Sequence, residues 1–276
     1  MTYTRLMVHL ELGSSNAALL KVAAVLAESL HAGVIGIAAC QPMRAAYADS
    51  AVSGEIIEQD RCDIAKEIKA GESEFRSAFH AHAGAVEWRS MVAFGSLSGY
   101  LAHQARSADL VVTCVDHNAS AFDNSRHVNM GDLVMRAGRP VLIVPSSVEA
   151  FQLRCVVVGW KETREARRAI FDALPLLKKA ECVTVVEIAE GEHLAAARMH
   201  LDDVVGWLKV HGITAEMLAL PAAGDDAAQL KSFADEQRAD VIVAGAYGHS
   251  RLREWAFGGV TSDLLLCATR CSFVSH

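Results

Sequence analysis

The residues of this sequence best suited to chemistry are four glycines near its C-terminus. An apolar run, Val241-Ile-Val-Ala244, leads into Gly245-Ala-Tyr-Gly248-His-Ser-Arg-Leu-Arg-Glu-Trp-Ala-Phe-Gly258-Gly259-Val-Thr261, and the helical run Ser262-Asp-Leu-Leu-Leu-Cys follows. Glycine at 245 and 248 permits positive φ angles and close backbone approach, so that successive N–H groups can point at one anion. Gly258 and Gly259 do the same at the start of a helix, where unpaired N–H groups and the dipole favour phosphate. Thr261 and Ser262 can add hydroxyl donors. His249 and Arg251, inside the intervening segment, can reach phosphate oxygens, whereas Arg253 and Glu254 read equally well as solvated charges. The segment is a phosphate cradle built from a loop and a helix N-terminus.

Such a cradle has to be aimed by the elements around it, and an internal repeat identifies them. Residues 108–145 match 239–276 without a gap: Ala108-Asp109-Leu-Val-Val112 falls over Ala239-Asp240-Val-Ile-Val243, Asp132-Leu133 over Asp263-Leu264, and Arg139 over Arg270 before a terminal apolar strand. At the half-starts, Arg5-Leu-Met-Val-His9 is laid over Arg154-Cys-Val-Val-Val158. The chain therefore reads as a duplication with domains at 1–147 and 152–276. Strands alternate with helices in each half, the pattern of a parallel sheet covered on both faces. Strands are expected near 4–10, 33–39, 86–94, 109–115 and 140–144, then near 154–160, 181–188, 213–220, 240–246 and 271–275. Leu194, Ala197, Leu201, Val204, Val205 and Leu208 form one helical apolar stripe, and Leu230, Phe233 and Ala234 another. The first half also carries a long polar helical stretch at about 52–83, as a sequence reading, with His80 and His82 expected to be solvated. Asp226, Thr163 and either Ser96 or Ser98 are expected as helix N-caps.

Composition narrows the classes. The chain has 276 residues, 52% of them hydrophobic and 21% charged, with 5 prolines, which suits a folded globular protein and not a disordered or fibrous one. Mean hydropathy is high, +0.22, yet the longest apolar runs are less than half of the roughly 20 residues a spanning helix needs. No membrane association is expected. The net charge of −7, with 26 Lys and Arg spread along the chain, gives no surface for nucleic acid. Met1-Thr-Tyr-Thr-Arg-Leu-Met-Val lacks the pattern of a secretory signal, and seven irregularly spaced cysteines suit reduced thiols, so a cytoplasmic location is expected. There is no Walker A sequence, no G-x-G-x-x-G fingerprint and no Gly-x-Ser-x-Gly elbow. No catalytic residue and no resident metal site are assigned.

The spacing Gly245, two residues, Gly248, nine residues, Gly258 resembles the nucleotide-binding signature of the universal stress proteins, and the duplication resembles their tandem form over essentially the whole chain. Gly259 departs from the pattern, which has Ser or Thr there. The resemblance implies an α/β fold of two tandem doubly wound five-stranded parallel sheets of order 3-2-1-4-5. It implies ATP, or another adenine nucleotide, with Mg2+ or Mn2+ in the C-terminal half. Phosphates would lie on Gly245, Gly248, His249, Arg251, Gly258, Gly259, Val260 and Thr261. The adenosine end would lie on Gly159, Trp160 and Lys161 after the first strand and on Val186 in the second. Lys161 stands where an acidic residue is usual, and Trp160 would stack on adenine only if its ring faces the pocket, a Trp at a strand end being more often core.

In the first half the same overlay puts Cys114, His117 and His127 where Gly245, Gly248 and Gly258 stand, and Leu12 in place of the acidic residue. Residues 1–145 are therefore expected not to bind ATP in the family manner. Cys114, Asp116, His117 and His127 could be read as metal ligands, but a worn nucleotide site with surface histidines is the expected reading. The family further implies that the last strands of the two domains pair into an internal pseudo-dimer, with a homodimer of chains left open. Three readings follow: an ATP-dependent stress-response or signalling module, a nucleotide-free stress scaffold, and an enzyme limited to slow ATP hydrolysis.

Overall fold

The computed structural model describes residues 2–42, 54–115, 127–246 and 270–276. The chain forms two compact units, one of residues 3–139 and one that includes 140–276. In the first unit β1 (Arg5–His9), β2 (Gly33–Cys40), β3 (Val86–Val92) and β4 (Leu110–Val115) form a parallel sheet of order β3-β2-β1-β4. Its helices are α1 (Ala17–Leu30), α2 (Gly54–Ala78), α3 (Leu97–Gln104) and α4 (Met130–Ala137). The central strands read as continuous apolar runs because helices cover both faces: Leu6, Met7 and Val8 are all buried.

The long helix α2 is polar on average, yet it buries Ile64 and Phe75. The Phe75 ring lies 5.6 Å from that of Trp88. Gly36 is what lets these rings approach, since a Cβ there would come within 2.7 Å of Trp88. Ser96 caps α3 by accepting from the Gly99 N–H, as expected. His80 is exposed, but His82 corrects the sequence reading. Its Nε2 is 2.9 Å from the Ala32 carbonyl and its ring meets the edge of Phe79, so it is a half-buried tie between helix end and strand start.

The second unit contains β5 (Val141–Pro145), β6 (Cys155–Trp160), α5 (Arg164–Leu177), β7 (Cys182–Ala189), α6 (Leu194–Val210), β8 (Glu216–Pro221), α7 (Asp226–Glu236), β9 (Val241–Gly245) and β10 (Cys271–Ser275). Its strand order is β5-β10-β9-β6-β7-β8, parallel throughout except that β5 runs antiparallel to β10. The order 3-2-1-4-5 is thus met by β8-β7-β6-β9-β10. The first half's last strand pairs with the second half's last strand, Leu142 opposite Phe273.

Val157, Val186 and Ile242 pack with Leu230, Phe233 and Ala234 of α7 on one face of the sheet. Alternation then turns Val156, Val158 and Trp160 to the other face. Thr163 caps α5, accepting from Ala166, whereas the cap of α7 is Asp225, one residue before the expected Asp226. Among the described residues no helix is long and apolar enough to cross a membrane.

Candidate functional site

Ligands of open parallel sheets lie beyond the carboxyl ends of strands, where the winding reverses. In the second unit the chain winds from β6 to β7 to β8 in one direction and from β9 to β10 in the other, so the reversal lies between β6 and β9. Gly159, Trp160 and Lys161 lie at the end of β6, and Gly245 ends β9 beside it. Gly248, His249, Arg251, Gly258, Gly259, Val260 and Thr261 lie outside the described residues.

Gly245 is fixed by packing. A Cβ there would lie 2.5 Å from the Glu165 carbonyl carbon and 2.6 Å from the Ala166 nitrogen, so only glycine lets the first turn of α5 close onto the end of β9. Gly159 likewise admits Leu230 of α7, whose Cδ2 would be 2.8 Å from an added Cβ. The backbone of Gly159 is laddered to Val186 on one side and Ala244 on the other.

Two of the residues assigned to the adenosine end have their side chains in the core. Val186 is buried in the cluster under α7 and presents no side chain at the strand end, because β7 continues to Ala189. The Trp160 ring is 5% exposed and turned to the face opposite α7, so it is a core side chain; its indole Nε1 has no hydrogen-bond acceptor among the described residues.

Lys161 occupies the position where a carboxylate was expected, and its Nζ lies 2.5 Å from Asp226 Oδ2 at the start of α7. The pair spans from the end of β6 to the helix beside it and returns a carboxylate to this corner from a residue the repeat did not single out. Glu187 was also missed. It faces Trp160 in register, is buried, and has Oε2 3.4 Å from His200 Nδ1. Burial pushes its carboxyl above the usual range, against the opposing pull of His200. Its signal was a single carboxylate inside the apolar run Val183–Ile188.

The first half differs from expectation at a decisive residue. Asp109 Oδ2 accepts from the Thr4 and Arg5 N–H groups, and Asp240 Oδ2 from those of Arg154 and Cys155. The structural overlay is therefore Arg5 on Cys155, one residue from the reading of Arg5 on Arg154. Glu11, and not Leu12, then stands at the place of Lys161. The acidic residue is present, and its carboxylate pairs with His127, the residue at Gly258's place in the repeat. Asn16 clamps the Glu11 backbone, its Oδ1 accepting from the N–H at 3.0 Å and its Nδ2 donating to the carbonyl at 3.1 Å. His9 falls at the place of Gly159; it is buried, with Nδ1 3.0 Å from Thr113 Oγ1. Cys114, at the place of Gly245, is buried. Asp116 and His117 lie outside the described residues, and among those described no group of three or more His, Cys, Asp or Glu could hold a metal.

No family model matches the chain and no curated protein matches it, but solved structures do. A universal stress protein from Archaeoglobus fulgidus DSM 4304 is similar over 98% of this chain and 97% of its own, with a TM-score of 0.74 and 13% identity. A protein of unknown function from Pseudomonas aeruginosa PAO1 is similar over 99% of this chain and 92% of its own, with a TM-score of 0.64 and 11% identity. A universal stress protein from Archaeoglobus fulgidus in complex with dAMP covers 52% of this chain and 99% of its own, at 18% identity and a TM-score of 0.35. Likeness at such identities is a likeness of architecture, and on that ground the chain has the universal stress protein fold in its tandem, two-domain form.

Proposed function

We propose that the protein binds ATP, with Mg2+ or Mn2+, through its C-terminal half and uses occupancy as a nucleotide-dependent stress-response or signalling state. The observation that carries this reading is positional: the glycine segment starts at Gly245, at the end of β9 and beside β6, where the winding of the sheet reverses. Backbone N–H groups of 245–248 and 258–261 would hold the phosphates, and the corner formed by Lys161 and Asp226 would meet the adenosine end. The fit is partial, because Gly245 is already required by α5. The bound cation would supply neutralisation of phosphate charge. The cradle sequence has no evident general base or carboxylate pair, which limits any turnover to slow hydrolysis. The reading takes the protein to be cytoplasmic, with its two domains as an internal pseudo-dimer.

A second reading, a nucleotide-free scaffold, is favoured by Lys161 standing in place of a carboxylate and by the burial of Trp160. Calorimetric titration with ATP and Mg2+, alongside Gly248→Val and Gly258→Val, separates the two. The nucleotide reading expects saturable binding at one site per chain, lost in both variants. No binding by the wild type, with no nucleotide carried through purification, would leave the scaffold.

A further inference from the structure

Cys155 opens β6, Cys182 opens β7, and the two lie opposite each other in the register of these parallel strands. Residues in register project to the same face. Here it is the face of α7, on which the later residues Val157 and Val186 pack. Adjacent strands run about 4.8 Å apart, inside the range of about 4.4–6.8 Å over which disulfides join Cα atoms. The backbone is fixed at this point: the Glu181 and Cys182 N–H groups both donate to the Arg154 carbonyl, at 2.8 and 2.9 Å, and the Cys155 N–H donates to Asp240. Both thiols are free and partly exposed, and the Cys182 thiol is near enough to act on that of Cys155. In the other ladders Cys40 lies opposite Val92 and Cys271 opposite Val241.

We propose that Cys155 and Cys182 are a redox pair that a peroxide closes into an intramolecular, cross-strand disulfide. One sulfur, as thiolate, attacks a peroxide oxygen, the O–O bond breaks, and a sulfenic acid and water are formed. The second sulfur then attacks the sulfenic sulfur; the S–S bond forms as the S–O bond breaks, and the hydroxyl leaves with the second thiol's proton as water. The two sulfurs are oxidised by two electrons in all, and the peroxide is reduced by the same two. Burial raises the Cys155 thiol, and the Cys182 thiol beside it raises it further, so closure is slow at neutral pH and quickens as pH rises. The bond forms at the amino ends of β6 and β7, away from the candidate nucleotide site, and ties together the two strands that flank α5.

The test treats the intact native chain with hydrogen peroxide, blocks remaining thiols with iodoacetamide and maps peptides without reduction. The expected product is a 155–182 linked peptide lacking two hydrogens, reversed by dithiothreitol. Cys155→Ser and Cys182→Ser should each abolish it and leave a dimedone-trappable sulfenic acid on the surviving cysteine. Recovery of Cys155 and Cys182 as separately alkylated or over-oxidised residues in the folded wild type would overturn the proposal. So would a link that forms only after unfolding in urea.

Discussion

His9 is held neutral by the fold. Buried under the carboxyl ends of β1 and β4 beside Thr113, its imidazole is pushed from an ordinary 6.5 down to about 4 by burial. A histidine with a depressed native value is stable as the neutral form. As pH falls below 6.5 the unfolded chain takes up a proton that the native chain refuses until about pH 4. Stability should therefore fall with pH across that window, by about 3 kcal/mol at its acid end. In His9→Gln, which cannot titrate, urea midpoints measured from pH 7.5 to 4.5 should lose correspondingly less. Equal losses in both proteins would mean that His9 is not the group responsible. None of this could be read from the sequence, in which His9 is one polar letter in an apolar strand. The same holds for Glu11 and Lys161: the half-starts align by letter one residue away from where hydrogen bonding to Asp109 and Asp240 places them. Their partners, His127 and Asp226, are remote in sequence. Residue type was legible at these positions, and partnership was not.

At the scale of elements, the contact that bears most on the candidate site is that of α5 with β9. The helix brings backbone of Glu165 and Ala166 so close to Gly245 that a methyl group there has nowhere to go, and its neighbours are main chain, which cannot rotate aside. Gly245→Ala should cost about 1–3 kcal/mol of stability in the absence of any nucleotide. It should appear as a lower urea midpoint with an unchanged slope. Unchanged stability would show that α5 can withdraw and that the glycine is free to serve a ligand. The first unit has Cys114 at this place, where the connection from β1 to α1 is longer than that from β6 to α5. The strands were legible to within a few residues because apolar runs bounded by turn residues leave little choice. The long helix α2 was legible too, though not the aromatic contact that seats it. What periodicity could not report is close backbone approach, so a glycine serving helix packing and a glycine serving phosphate looked alike.

At the scale of the whole chain, the repeat and the packing divide the sequence at different places. Sequence comparison ends the first copy at Pro145, with the domain boundary read at 147, yet compact packing groups β5 with the second unit. There β5 covers the outer edge of β10, Ile143, Leu142 and Val141 lying opposite Ser272, Phe273 and Val274. Phe273 and Val274 are buried. A piece cut at 152–276 would keep every helix of the second half but would expose β10 as an unpaired apolar edge, the feature that drives strand-to-strand association. A piece cut at 140–276 would keep the edge paired. The longer piece should therefore be monomeric and melt at the higher temperature, while the shorter should dimerise or aggregate as concentration rises. Light scattering and thermal melting on the two pieces decide the matter. If 152–276 were equally stable and monomeric, β5 would be an accessory to the second fold and the repeat boundary the true one. If it associates, the last strand of the first copy is structurally part of the second, and the tandem chain is one folding problem with two sheet centres.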